Sequence, residues 1–230
     1  MFDGNWRTTV DKGLTPIGHS LRRTGITADV ITVIGIVMAS VAAFTIGAGW
    51  TRVGFLFLLL TGIPDALDGA VARASGTGSQ RGAFFDSVSD RLTDGLLFGG
   101  VAWYLASNEP GRIMMLPVAI MGLAMFISYQ RAKAESLGYD AKGGIMERAE
   151  RIIVLAIALL FAEFLIPILW VMLVLTAITA VQRFVKVWRQ ASEDRPRPQR
   201  RQRRQPRVRR STAEPVWRQR MRERRALRDG

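Results

Sequence analysis

Apolar residues come in runs of about twenty along the first 190 positions, the length needed to cross a bilayer as a helix. The runs and the polar residues that punctuate them predict six helices, at 29–48, 53–73, 83–106, 113–136, 147–166 and 168–189. The second, third, fifth and sixth reach full length only with their polar ends included. Residues 4–22 (GNWRTTVDKGLTPIGHSLR) have scattered apolar positions and predict an interfacial helix broken near Pro16. Met1–Arg23 has no apolar stretch of the kind a cleavable signal needs. The expected fold is therefore all-α and integral to the membrane. Six transmembrane helices (23–190) follow an N-terminal interfacial segment (1–22), and residues 191–230 form a polar tail.

Charge sharpens this division. The chain of 230 residues carries a net charge of +13, but residues 191–230 hold 15 arginines against 5 acidic residues. The basic balance belongs to a tail rich in Arg, Gln and Pro, for which disorder is expected through about residue 213 and a short helix at 215–228. A solvated tail resting on anionic lipid accounts for it, and specific nucleic-acid binding is not expected. Orientation follows from the loops. Eleven basic residues flank one side (Arg7, Lys12, Arg22, Arg23, Arg73, Arg81, Arg131, Lys133, Lys142, Arg148 and Arg151) and two the other (Arg52 and Arg112). Both termini and the face bearing the eleven are expected in the cytoplasm. The absence of cysteine excludes disulfides, thiolate metal sites and cysteine nucleophiles. A single histidine, His19, excludes any site needing two imidazoles.

Aspartates then appear where lipid should forbid them. An ionised carboxylate at the bilayer centre costs at least ~2.5–3.5 kcal/mol, yet Asp65, Asp68, Asp86, Asp90 and Asp94 lie in or beside apolar helices. Asp65 and Asp68 share one helix face at i, i+3; Asp86, Asp90 and Asp94 share another at i, i+4, i+8. The Gly/Ser-rich turn ASGTGSQR between them predicts an antiparallel pair whose acidic faces meet. Four convergent oxygen donors without His or Cys predict a hard-cation site, for Mg²⁺ or Mn²⁺. Asp94 either extends this acidic face or hydrogen-bonds a neighbour.

Residues 65–90, DALDGAVARASGTGSQRGAFFDSVSD, fit D-x2-D-G-x2-A-R-x8-G-x3-D-x3-D at every fixed position. This resembles the signature of the CDP-alcohol phosphotransferases. The resemblance implies six transmembrane helices, a homodimer, two divalent cations, and transfer of a phosphatidyl group from a CDP-linked donor to an alcohol with release of CMP. It implies Asp65, Asp68, Asp86 and Asp90 as metal ligands, with Asp90 also the general base. It implies Gly69, Arg73 and Ser79, with Asp29, Val30, Ile31 and Thr32 at the start of the first helix, as contacts to CDP-diacylglycerol. These roles agree with elementary chemistry: cations stabilise a departing pyrophosphate oxygen, and a carboxylate can take the proton of an attacking hydroxyl.

The stretches SYQRAKAESLGYDAKGGIMERAERIIV (128–154) and VQRFVKVW (181–188) resemble those of actinobacterial phosphatidylinositol phosphate synthases, a branch of the same family. That likeness implies inositol phosphate as acceptor, its phosphate held by Arg131, Arg148 and Arg183, and less directly by Arg151 and Lys133. Ala28 and Ala149 stand where proline is common in that branch, and Arg131 where lysine is frequent. Glycerol 3-phosphate is the alternative acceptor, since it too needs a phosphate site. A cation transporter is the alternative outside enzymology, because intramembrane aspartates also mark ion pathways. A third reading puts the function in the tail, with the helices as its anchor.

Overall fold

The computed structural model describes residues 28–62, 80–193 and 220–221. They are helical apart from the connections, and no strand occurs among them. Six helices are seen within the described residues 28–62 and 80–193: α1 (Ala28–Gly47), α2 (Thr51–Gly62), α3 (Gln80–Asn108), α4 (Met115–Leu137), α5 (Arg148–Leu160) and α6 (Leu165–Glu193). A single 3-10 turn, Ala162–Phe164, joins the last two. The chain divides into two units, Met1–Ala191 and Ser192–Gly230. The second contains the end of α6 and the helical pair Arg220–Met221, which falls within the helix expected at 215–228. The interfacial segment at 4–22 and most of the tail lie outside the described residues.

One apolar core runs through the first unit. Ile46 of α1, Leu58 of α2, Phe98 of α3, Ile120 of α4, Leu155 of α5 and Leu169 of α6 all belong to it and are all essentially inaccessible. The helices are apolar on the outside as well: Val33 and Val37 on α1, Trp103 on α3, Phe126 on α4 and Trp170 and Val174 on α6 are exposed. A helix apolar all round suits a lipid surround, not water. Among the described residues, three segments are long and apolar enough to cross a membrane: Asp29–Gly47, Met115–Leu137 and Ala162–Glu193. Hydroxyls inside the helices donate back to their own backbone, as a dry environment requires. Examples are Thr45 Oγ1 to Val41 O at 2.8 Å and Thr176 Oγ1 to Met172 O at 2.7 Å.

Cross-helix contacts set the direction of the bundle. Asp29 meets Arg81, Ala43 meets Gly100, and Gly47 meets Trp103, so α1 and α3 run parallel. Asp90 meets Arg148 and Asp94 meets Arg151, so α3 and α5 also run parallel. The α1–α3 seam is tight because it is built on glycine. A Cβ on Gly100 would stand 2.7 Å from the Cα of Ala43, and one on Gly47 would overlap the Trp103 indole. Phe44 packs edge-on against the same indole, with ring centroids 5.8 Å apart.

The fifth helix corrects the expectation from the sequence. A helix over 147–166 was expected, but α5 ends at Leu160 after 13 residues, about 20 Å of rise. The cause is Pro167. Its ring would clash with the carbonyl of residue 163 in a continuing helix, so the chain breaks at Phe161–Phe164 and restarts at Leu165. Pro167 then sits in the first turn of α6, where its missing N–H costs nothing. The second predicted helix, 53–73, is described only as far as Gly62.

Candidate active site

The parallel run of α1, α3 and α5 turns their N-terminal ends to one side of the bundle, with α5 starting beside Asp90, and the described candidates of these three helices lie on that side. Asp29 lies in the first turn of α1, Asp86 and Asp90 in the second and third turns of α3, and Arg148 opens α5. Helix N-termini favour anions through their unpaired N–H groups and the helix dipole.

Along α3 the three aspartates descend into the bundle. Asp86 is exposed, the Asp90 side chain is 20% exposed, and that of Asp94 is 7% exposed. Two guanidiniums from α5 meet them. Arg148 Nη1 lies 2.9 Å from Asp90 Oδ1, and its Nε lies 3.6 Å from Asp94 Oδ1. Arg151 Nη2 donates to Asp94 Oδ2 at 2.9 Å, and its Nη1 donates to the Met146 carbonyl at 3.3 Å. Arg91 adds a contact to Asp90 Oδ2 at 3.3 Å. Of the two possibilities for Asp94, the structure therefore shows a paired side chain.

The remaining basic residues come from α4 and α6. Arg183, buried to 4% exposure, donates to Glu147 Oε1 at 2.8 Å, Gly143 O at 3.1 Å and Ile127 O at 3.3 Å. Arg131 pairs with Glu135 on the surface of α4 at 2.9 Å, and Lys133 is exposed on the same helix. At the start of α1, Asp29 pairs with Arg81 at 3.2 Å; Val30 is exposed, Ile31 buried and Thr32 half-buried. Asp65, Asp68, Gly69, Arg73 and Ser79 lie outside the described residues.

A polar stripe on α6 was not anticipated as a unit. Thr179, Arg183, Lys186 and Gln190 fall at i, i+4, i+7 and i+11, and all four hold the 138–147 connection ahead of α5. Thr179 Oγ1 accepts from Met146 N at 2.9 Å. Lys186 Nζ donates to Asp140 Oδ2 at 2.8 Å and to Lys142 O at 2.7 Å. Gln190 donates to Asp140 O and accepts from its N–H, at 2.7 and 2.9 Å. The Lys186 ammonium and, next, the Lys142 N–H hold the Asp140 carboxyl below the ordinary carboxylate range. Four polar positions at helical spacing on an otherwise apolar helix were the available signal.

The donor chemistry fits a hard divalent cation. Asp86 and Asp90 present carboxylate oxygens one turn apart, and neither is deeply buried. Among the described residues alone, no three His, Cys, Asp or Glu groups gather closely enough to hold a metal.

An acidic helix face opposed by guanidiniums thus lies inside an apolar helical bundle. The CDP-alcohol phosphatidyltransferase family model matches residues 25–188, and the chain belongs to that family. It is 37% identical over 185 residues to a phosphatidylinositol phosphate synthase from Mycobacteroides abscessus, covering 77% of this chain and 84% of that one. It is 34% identical over 195 residues to the Streptomyces avermitilis enzyme of the same name, covering 78% and 80%. Among solved structures it resembles the crystal structure of Mycobacterium tuberculosis phosphatidylinositol phosphate synthase with CDP-DAG bound. There the TM-score is 0.73 at 32% identity, over 79% of this chain and 97% of that one. The same M. tuberculosis enzyme, solved with manganese and citrate, matches with a TM-score of 0.73 at 33% identity, over 79% and 92%.

Proposed function

We propose that this protein transfers the phosphatidyl group of CDP-diacylglycerol to inositol phosphate, giving phosphatidylinositol phosphate and CMP. The observation that carries this is the opposition of Asp90 and Asp94 on α3 to Arg148 and Arg151 on α5. It puts a carboxylate suited to a base beside cationic groups suited to a phosphorylated acceptor. The identity of 37% to a phosphatidylinositol phosphate synthase supports the same conclusion.

In this account Asp90 is the general base. It takes the proton of the acceptor hydroxyl as the oxygen bonds to the phosphatidyl phosphorus; the bond from that phosphorus to the CMP oxygen breaks, and CMP leaves. Asp65, Asp68, Asp86 and Asp90 would hold two divalent cations, Mg²⁺ or Mn²⁺. When bound, these stabilise the charge that develops on the pyrophosphate oxygens. Arg131, Arg148 and Arg183, with Lys133 and Arg151, face the acceptor phosphate as direct contacts or as their supports. Arg offers a planar fork that matches phosphate oxygens. Asp29, Val30, Ile31, Thr32, Gly69, Arg73 and Ser79 would contact the CDP-diacylglycerol, whose acyl chains stay in the bilayer.

Six spans with both termini and the active site in the cytoplasm complete the proposal. The domain limits are 23–190 for the enzyme and 191–230 for the tail, and the assembly is a homodimer. Offering inositol phosphate, glycerol 3-phosphate and free inositol together, then identifying the lipid product by mass spectrometry, tests the acceptor. Phosphatidylinositol phosphate as the dominant product is expected. Phosphatidylglycerophosphate would retain the chemistry and replace the acceptor.

A further inference from the structure

Asp94 lies outside the 65–90 signature yet is the most buried carboxylate of α3, and no step above uses it. It is separated from Asp90 by one helical turn, so both point to the same neighbour, α5. There Arg148 and Arg151 are also one turn apart, at i, i+3. The result is an alternating ladder: Asp90 with Arg148 at 2.9 Å, Arg148 with Asp94 at 3.6 Å, Arg151 with Asp94 at 2.9 Å. Arg151 is only 3% exposed. A guanidinium that deep requires a counter-charge, because removing one partner of a buried pair leaves the other charge uncompensated.

Among the described residues two carboxylates lie within reach of Arg148, and they have different duties. Asp90 must turn to the acceptor hydroxyl to act as a base. Asp94 has no such duty, and its Oδ1, buried and 3.6 Å from Arg148 Nε, has no hydrogen-bond partner among the described residues. A shift of less than an ångström would make that contact a hydrogen bond.

We propose that Asp94 is a positioning residue for the acceptor: it holds Arg148 and Arg151 over the site while Asp90 engages the hydroxyl, and so sets affinity for the acceptor's phosphate. This rests on the proposed function and assigns a role to a residue outside the family signature. Asp94 acts through the two arginines and touches neither substrate.

The test is the Asp94→Asn variant in Mg²⁺-containing detergent micelles. KM is measured separately for CDP-diacylglycerol and inositol phosphate, and inositol phosphate binding is measured by calorimetry. Loss of one charge-assisted contact to the acceptor's anchors predicts a rise of about ten- to a hundredfold in acceptor KM and Kd. Donor KM stays at its wild-type value. In an Arg148→Gln background, Asp94→Asn adds little further change to acceptor KM, because the effect passes through that side chain. A folded Asp94→Asn protein with wild-type acceptor KM and Kd overturns the proposal, as does equal loss for donor and acceptor. If Asp94→Asn does not fold, Asp94→Glu carries the same test, since it keeps the charge and displaces the carboxylate by one methylene. A raised acceptor KM at wild-type donor KM supports the role, and an unchanged one refutes it. Wild-type protein that neither binds nor turns over inositol phosphate would refute the function itself, and this proposal with it.

Discussion

Replacing Arg183 with methionine removes a buried guanidinium while leaving a side chain of comparable reach, so the loss is mainly electrostatic. Three acceptors each lose one donor: Glu147 Oε1, which keeps the Gly143 N–H at 3.1 Å, Gly143 O and Ile127 O. The Glu147 side chain is 40% exposed, so water replaces much of that bond, and it counts for no more than about 1 kcal/mol. The two carbonyls each lose a charged donor, at about 1–1.5 kcal/mol apiece. Relief of the guanidinium's own desolvation offsets part of the sum, leaving about 2–3 kcal/mol. At about 2–4 °C per kcal/mol for a chain of this size, Tm should fall by roughly 4–12 °C. Arg183→Lys keeps the charge but cannot span three divergent acceptors, and should fall between wild type and Arg183→Met. Thermal unfolding in detergent reads the global effect. Hydrogen exchange over residues 138–147 reads the local one, because the loop's own N–H groups depend on the same stripe of α6. A Tm within about 1 °C of wild type, with unchanged exchange in that loop, would refute the view that Arg183 clamps α6 to the approach of α5.

Three further predictions follow from other parts of the molecule. The Asp140 carboxyl is held below its ordinary range by Lys186, so its contribution is present above the unfolded value of about 3.9 and is lost as pH falls through the lower folded value. Protection of 138–147 against exchange, taken relative to the intrinsic amide rate at each pH, should therefore fall on acidification below about pH 4, and Asp140→Asn should lower it at neutral pH and remove the fall on acidification. Gly100→Ala forces a Cβ to within 2.7 Å of the Ala43 backbone; it should separate α1 from α3 and cost about 1–3 kcal/mol in thermal unfolding, and a neutral result would contradict the seam. Removing divalent cations with EDTA should stop CMP release and added Mg²⁺ should restore it, while Asp90→Asn should lower turnover by about 10²–10⁴-fold even with Mg²⁺ present.

The helices were legible because a membrane-length apolar run has few alternatives, and α1 and α4 lie within a few residues of their expected limits. The end of α5 was not. Residues 155–166 are nearly all apolar, and hydrophobicity cannot mark a break inside such a stretch; Pro167 was the informative residue. The acidic face of α3 was legible from spacing alone, since i, i+4 and i+8 on a helix leave no choice of face. Its partners were not, because Asp94 and Arg151 are 57 positions apart and no local pattern joins them. The presence of basic groups at helix ends singled out Arg131, Arg148, Arg151 and Arg183. It could not distinguish the exposed Arg131 from Arg183, whose burial and three protein acceptors depend on how α6 packs against the 138–147 loop.

The carboxylates of this bundle serve the transfer of a phosphatidyl group to inositol phosphate. CMP release from CDP-diacylglycerol in Mg²⁺-containing detergent micelles, measured with inositol phosphate, glycerol 3-phosphate and free inositol in separate reactions, tests it most directly. CMP release is expected with inositol phosphate, and only background release with the other two. Release with glycerol 3-phosphate alone would contradict the acceptor assignment, and no release with any acceptor would contradict the enzymatic function.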